Sequence, residues 1–319
     1  MLFISLLGGF LLLLLGGDLL VRGAVGVAKR FNVSPLLIGL TLVGFGTSTP
    51  ELVTSLQAAA INSPGIAVGN VVGSNIANIL LILGAAALIR PIAVDPAALR
   101  RDGGMLVIAT AACAVAVLAG TLSRPAGGIF VAALIAYIVF TYMRERRQPD
   151  ASAELHAHEA EAVTPPTNLP LAIGLTVAGL AMTIFGARLL VDGAVELARG
   201  FGISETIIGL TIVAVGTSLP ELITSTMAAW RRQGDVALGN VIGSNIYNVL
   251  GILGITALVL PVPIPPEIAR FDLWVMIAVT ALLLLFAFTG RRLSRIEGAV
   301  LAGGYAAYLV ALGSGITSA

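Results

Sequence analysis

Long apolar runs recur along this chain at short intervals, and no other feature limits its folding so severely. Ten stretches of roughly 17 to 27 residues lie near 2–21, 35–61, 66–89, 104–120, 126–143, 170–190, 205–229, 236–260, 272–289 and 297–317, each about long enough to cross a hydrocarbon core. Of the 319 residues 57% are hydrophobic and 11% charged, and the mean hydropathy is +1.00, which excludes a soluble globular domain. The 37 glycines fit helices whose backbones approach closely, since small residues carry helix association in lipid. An all-α membrane protein is expected. The opening MLFISLLGGF segment lacks a basic start and a clean cleavage site, and reads as the first span. Cys113, the single cysteine, lies in an apolar run and is expected to be a packed, inert thiol.

The polar connections fix the layout. Residues 144–168, rich in Pro, Ala, Glu and charge, read as a solvated linker between 1–143 and 169–319. With the N-terminus outside, thirteen Lys and Arg (29, 30, 90, 100, 101, 144, 146, 147, 231, 232, 291, 292, 295) fall on inner connections and three (124, 199, 270) on outer ones. That bias places both termini outside and the linker in the cytoplasm of a prokaryotic inner or plasma membrane. A net charge of +1 points to no nucleic acid or other polyanionic partner.

The chain also repeats itself. Residues 31–84 align without a gap on 201–254, and 30 of those 54 positions are identical. The shared positions include Gly46/Gly216, Thr47/Thr217, Ser48/Ser218, Pro50/Pro220, Glu51/Glu221, Asn70/Asn240, Ser74/Ser244, Asn75/Asn245 and Asn78/Asn248. Five crossings separate the two glutamates, so the second copy is inserted upside down. The expected fold is therefore ten transmembrane helices in two inverted five-helix repeats. A pseudo-two-fold axis in the membrane plane then brings Glu51 and Glu221 face to face near the midplane.

Proline directly before each glutamate denies a hydrogen bond to the carbonyl four residues earlier, so Pro50 frees the oxygen of Gly46 and Pro220 that of Gly216. Broken backbone at membrane depth is tolerated only inside protein or along a polar cavity. Here it is surrounded by Thr47, Ser48, Thr49, Thr217 and Ser218, a collection of oxygens with no basic side chain nearby in sequence. Two unpaired carboxylates in mid-membrane cost roughly 5 to 7 kcal/mol, much of a typical stability of about 5 to 15 kcal/mol. One divalent cation balances both charges, and neutral oxygens complete the six to eight ligands that calcium takes. The stretches GNVVGSNIANILLILG and GNVIGSNIYNVLGILG add Ser74 and Asn78, and Ser244 and Asn248, each pair on one helical face.

GTSxPEL, followed by the serine of GNVxGSNI 23 residues after the glutamate, occurs in both halves and resembles the alpha-repeats of the calcium/cation antiporter superfamily, more closely its sodium/calcium exchanger branch. The resemblance implies an exchanger, not an enzyme, that carries calcium and sodium as cargo and needs no cofactor. Carried over by position, it implies calcium ligands from the carboxylates of Glu51 and Glu221 and the backbone carbonyls of Thr47 and Thr217. Ser48, Ser218, Ser74 and Ser244 with the backbone at Gly44 and Ala214 would serve flanking sodium sites, and Asn78 and Asn248 the middle. Some relatives carry aspartate where this chain has Asn248, so potassium dependence is not expected. Proton-coupled relatives usually show GNxxEL at the first motif, and GTS favours sodium over the alternative of proton/calcium exchange.

Other features take plainer readings. Asp18 and Arg22 are four apart, as are Arg188 and Asp192 at the aligned positions with signs exchanged, and both read as structural ion pairs near the membrane boundary. His156 and His158 have a spacing that suits a transition metal but belong to the solvated linker. Asn75 and Asn245 read as helix-to-helix partners and stay outside the expected site. A channel would also line a path with oxygens, but fixed charges at the centre of an inverted repeat fit alternating access better. An intramembrane hydrolase lacks the nucleophile and the His or Cys cluster it would need.

Overall fold

A computed structural model describes residues 2–38, 41–42, 44–147, 163–164, 166 and 168–314. The first half contains α1 (Leu2–Arg30), the one-turn α2 (Pro35–Ile38), α3 (Thr49–Ala60), α4 (Pro64–Ile89), α5 (Pro96–Leu118) and α6 (Arg124–Arg147). The second contains α7 (Leu169–Phe201), α8 (Glu205–Thr217), α9 (Leu219–Trp230), α10 (Gly234–Val259), α11 (Ile268–Gly290) and α12 (Arg295–Gly313). Each helix of the first half has its counterpart six places later. Among the described residues eight helices are long and apolar enough to cross a membrane, and α8 with α9, bent by 49°, brings the number to nine if the pair counts as one span. The expected span 35–61 includes positions 39, 40 and 43, outside the described residues.

Several spans run further than their apolar stretches. The first and sixth, expected to end near 21 and 190, continue to Arg30 and Phe201, giving helices of 29 and 33 residues. Helices this long exceed the hydrocarbon thickness and accommodate by tilting, with charged groups at the ends. The pairs Asp18–Arg22 (2.9 Å) and Arg188–Asp192 (3.8 Å) form on their exposed faces, as the spacing requires. α6 continues through residues 144–147, which the sequence assigns to the linker; Asn168 then caps α7, its Oδ1 accepting from the N–H of Leu171 at 2.8 Å. His156 and His158 lie outside the described residues.

α1 and α7 pack backbone to backbone. A Cβ on Gly9 would lie 2.8 Å from the nitrogen of Leu190, and one on Gly186 would lie 2.9 Å from the carbonyl of Gly9, so glycine is required on both sides. α4 and α10 form the interior: Ile66 to Ala77 are buried without interruption, and both helices sit in the main apolar core. Cys113 is buried in that core as a free thiol. Four two-residue strands tie connections across the halves: β1 (Ile92–Ala93) pairs antiparallel with β4 (Arg292–Leu293), and β2 (Thr121–Leu122) with β3 (Val262–Pro263). Exchanging the halves turns one pairing into the other, as an inverted repeat demands.

Candidate functional site

The site is built where the two helix breaks meet the two interior helices. Ser48 and Ser218 occupy the N-cap positions of α3 and α9 with nearly the same backbone angles (φ −88°, ψ 10° and φ −83°, ψ 10°), and a proline opens each helix. An N-cap serine ordinarily accepts from a backbone N–H of its own helix. Neither does so here. Each hydroxyl instead crosses to the other half: Ser48 Oγ donates to Glu221 Oε1 at 2.7 Å, and Ser218 Oγ donates to Glu51 Oε1 at 2.8 Å. The glutamates stand in the first turns of α3 and α9, where the positive end of the helix dipole favours a carboxylate. Both are 1% exposed. Each glutamate thus meets the serine at the helix break of the other half.

The turn before Pro50 differs in one detail. The carbonyl of Gly46, denied its usual partner, accepts from the N–H of Thr49 at 3.2 Å instead of standing free. A tightened three-residue turn absorbs the oxygen that proline releases. Behind Glu51, Asn70 Nδ2 donates to the Glu51 carbonyl at 3.1 Å and to Ser55 Oγ at 2.9 Å, clamping α3 to α4. Asn240 repeats the second contact with Ser225 at 2.9 Å.

Of the flanking positions, Ser218, Ser74 and Ala214 meet one another. Ser218 Oγ lies 3.0 Å from Ser74 Oγ, which in turn donates to the Ala214 carbonyl at 3.5 Å. Thr217 Oγ1 lies 3.0 Å from Asn70 Oδ1 and 3.1 Å from the Val213 carbonyl. Ser244 Oγ and Thr47 Oγ1 are buried oxygens without a partner, and Gly44 begins the turn 44–48. Two features break the symmetry. Phe45 stacks on Tyr247 with centroids 4.4 Å apart, where the aligned positions are Val215 and Ala77. Phe10 of α1 fills the space a side chain at Gly216 would need.

Asn78 and Asn248 each begin a π-helical turn, Asn78–Leu83 and Asn248–Leu253, inside α4 and α10. Their nitrogens are held from the opposite half: Asn78 Nδ2 donates to Asn245 Oδ1 at 2.9 Å, and Asn248 Nδ2 donates to Asn75 Oδ1 at 3.0 Å. Asn75 and Asn245, left out on sequence grounds, therefore touch the site directly. Their recurrence in both copies beside Asn78 and Asn248 was the available signal. Besides the hydroxyls of Thr47 and Ser244, four buried carboxylate and amide oxygens at the site have no partner, Glu51 Oε2, Glu221 Oε2, Asn78 Oδ1 and Asn248 Oδ1, two from each half. Buried oxygens are normally paired, and an unpaired charged one is especially expensive. No group of three or more His, Cys, Asp or Glu forms among the described residues, and the partnerless oxygens that accompany the two carboxylates are neutral amide and hydroxyl oxygens.

Such a fold and site define an inverted-repeat membrane protein with a carboxylate pair at its centre. The chain belongs to the sodium/calcium exchanger protein family, whose sequence profile matches residues 1–143 and 171–313. It is 36% identical to the sodium/calcium exchanger MaX1 of Methanosarcina acetivorans over 346 aligned positions, 97% of this chain and 98% of that one. It is also 36% identical to the inner membrane protein YrbG of Escherichia coli, over 96% of this chain and 95% of that one. Among solved structures it superposes on the sodium-calcium exchanger NCX_Mj, soaked with sodium and calcium, with a TM-score of 0.62 and 33% identity over 97% of both chains.

Proposed function

We propose that this protein exchanges sodium for calcium across the membrane by alternating access. The observation that carries the reading is the set of four partnerless buried carboxylate and amide oxygens, Glu51 Oε2, Glu221 Oε2, Asn78 Oδ1 and Asn248 Oδ1, contributed equally by the two halves. Two negative charges match one divalent ion, and the oxygen chemistry matches calcium. Glu51 and Glu221 would bind calcium directly, with Asn78, Asn248 and the carbonyls of Thr47 and Thr217 completing its shell. Ser48, Ser218, Ser74, Ser244 and the backbone at Gly44 and Ala214 would serve sodium on either side. The names of MaX1 and NCX_Mj, both sodium/calcium exchangers, support sodium as the counter-ion.

The coupling follows from charge. Moving an uncompensated pair of carboxylates between inward-open and outward-open states is unfavourable in a low-dielectric interior. Cations that neutralise the pair remove that barrier, so the carrier switches loaded with calcium or with sodium and stalls empty. Residues 1–143 and 169–319 act as the two inverted halves, joined by 144–168 on the cytoplasmic side, with both termini outside. Calcium uptake into sodium-loaded proteoliposomes tests the reading, with sodium, potassium and proton gradients varied in turn. Uptake should follow the outward sodium gradient alone. Uptake driven equally well by a pH gradient would replace sodium with protons as the coupling ion.

A further inference from the structure

A chain of one-way hydrogen bonds connects the backbone to the oxygens of the site. A carbonyl can only accept, so the carbonyl of Asn245, 3.4 Å from Asn75 Nδ2, requires the Asn75 amide to turn its nitrogen that way. Met276 Sδ, 3.8 Å from the same nitrogen, is likewise an acceptor. Asn75 Oδ1 is then committed to Asn248 Nδ2, at 3.0 Å. With its nitrogen engaged, Asn248 has one orientation left, and its Oδ1 is the atom without a partner. The chain also runs in the opposite sense. The carbonyl of Asn75 takes Asn245 Nδ2 at 3.3 Å, Asn245 Oδ1 takes Asn78 Nδ2 at 2.9 Å, and Asn78 Oδ1 is left over.

Building on the assignment of Asn78 and Asn248 as cation ligands, we propose that Asn75 and Asn245 are positioning residues that decide which end of each ligand amide meets the ion. A primary amide has an oxygen that binds a cation and an NH2 that repels it, and the two ends are nearly the same shape. Unrestrained, the side chain would present either. Here the choice is made by two backbone carbonyls and transmitted through Asn75 and Asn245, each acting on the ligand of the other half. All four side chains are 1 to 2% exposed, so water does not compete for these bonds. Each half thus sets the polarity of a ligand that belongs to the other.

Aspartate supplies the test, because both of its oxygens are acceptors and it has no wrong orientation. Calcium binding to the purified protein is titrated for wild type, Asn75→Ala, Asn248→Asp and the double variant, with the melting temperature of each measured beside it. Asn75→Ala should weaken calcium binding about 5- to 100-fold in the wild-type background, the range expected for losing one hydrogen bond to an ion-facing group. In the Asn248→Asp background, where Asn75 Oδ1 faces a second acceptor instead of a donor, the same substitution should not weaken binding. A residue that merely supports packing would lower affinity equally in both, and equal losses, or no loss in either, overturn the proposal. Asn245→Ala with Asn78→Asp gives the same cycle through the other half if Asn75→Ala fails to fold. Wild-type protein that binds no calcium would instead overturn the calcium site itself, a separate result.

Discussion

Replacing Glu51 by glutamine changes one charge and almost no volume, and the structure sets opposite expectations for binding and for stability. In the native chain Glu51 is 1% exposed; Oε1 accepts from Ser218 at 2.8 Å and Oε2 has no partner. For a bound divalent ion the substitution removes one of two balancing charges. Breaking a buried ion pair typically costs about 3 to 5 kcal/mol, which is roughly two to four decades of calcium affinity. For the ion-free protein the same change removes an uncompensated charge whose burial costs on the order of 2.5 to 3.5 kcal/mol in mid-membrane. Glu51→Gln should therefore lose sodium-dependent calcium flux in vesicles, bind calcium far more weakly, and melt no lower than wild type without ions. Glu221→Gln should behave alike, since Ser48 holds Glu221 as Ser218 holds Glu51. Flux at wild-type rates in either variant, or an ion-free protein that unfolds when the charge is removed, would refute the reasoning.

Other perturbations have equally definite outcomes. Gly186→Val places a side chain 2.9 Å from the Gly9 carbonyl and should push α1 off α7, destabilising by about 1 to 3 kcal/mol in a thermal melt. Gly251→Ala puts a methyl 2.7 Å from the Tyr247 ring and should displace it from Phe45, at a similar cost of about 1 to 3 kcal/mol, partly recovered when Tyr247→Ala is added. Tyr308 donates to Asp272 at 2.8 Å, and Asp272 Oδ2 already lacks a partner. Tyr308→Phe leaves both oxygens of a buried carboxyl unsatisfied, which should lower stability by about 1 to 3 kcal/mol in chemical denaturation without altering calcium affinity.

Much of this was legible in the sequence because two signals are long-range and redundant. Apolar runs mark out most of the spans, and a gapless 170-residue displacement shows which elements correspond, so the symmetric exchange of Ser48 with Glu221 and Ser218 with Glu51 has its pattern already in the sequence. Hydrogen-bond direction does not. That Ser48 abandons its own helix for Glu221, or that the Gly46 carbonyl is taken up by Thr49, depends on sub-ångström placement within a turn. Asn75 and Asn245 were passed over because an uncharged amide in an apolar helix carries no sign of whether it bonds to a neighbour or to a ligand. Span lengths were short in the reading for a related reason: the polar ends of α1 and α7 look like loop, yet both helices run on to Arg30 and Phe201.

The exchange of partners between Ser48 and Glu221, and between Ser218 and Glu51, bears on how such a protein could have originated. A gene for one half alone would encode a subunit whose acid has no hydroxyl to meet unless a sister molecule enters the bilayer facing the other way. A half on its own would have to insert in both orientations, which only a weak bias of basic residues allows. In a single chain the two orientations are supplied by the two halves themselves, joined covalently through residues 144–168.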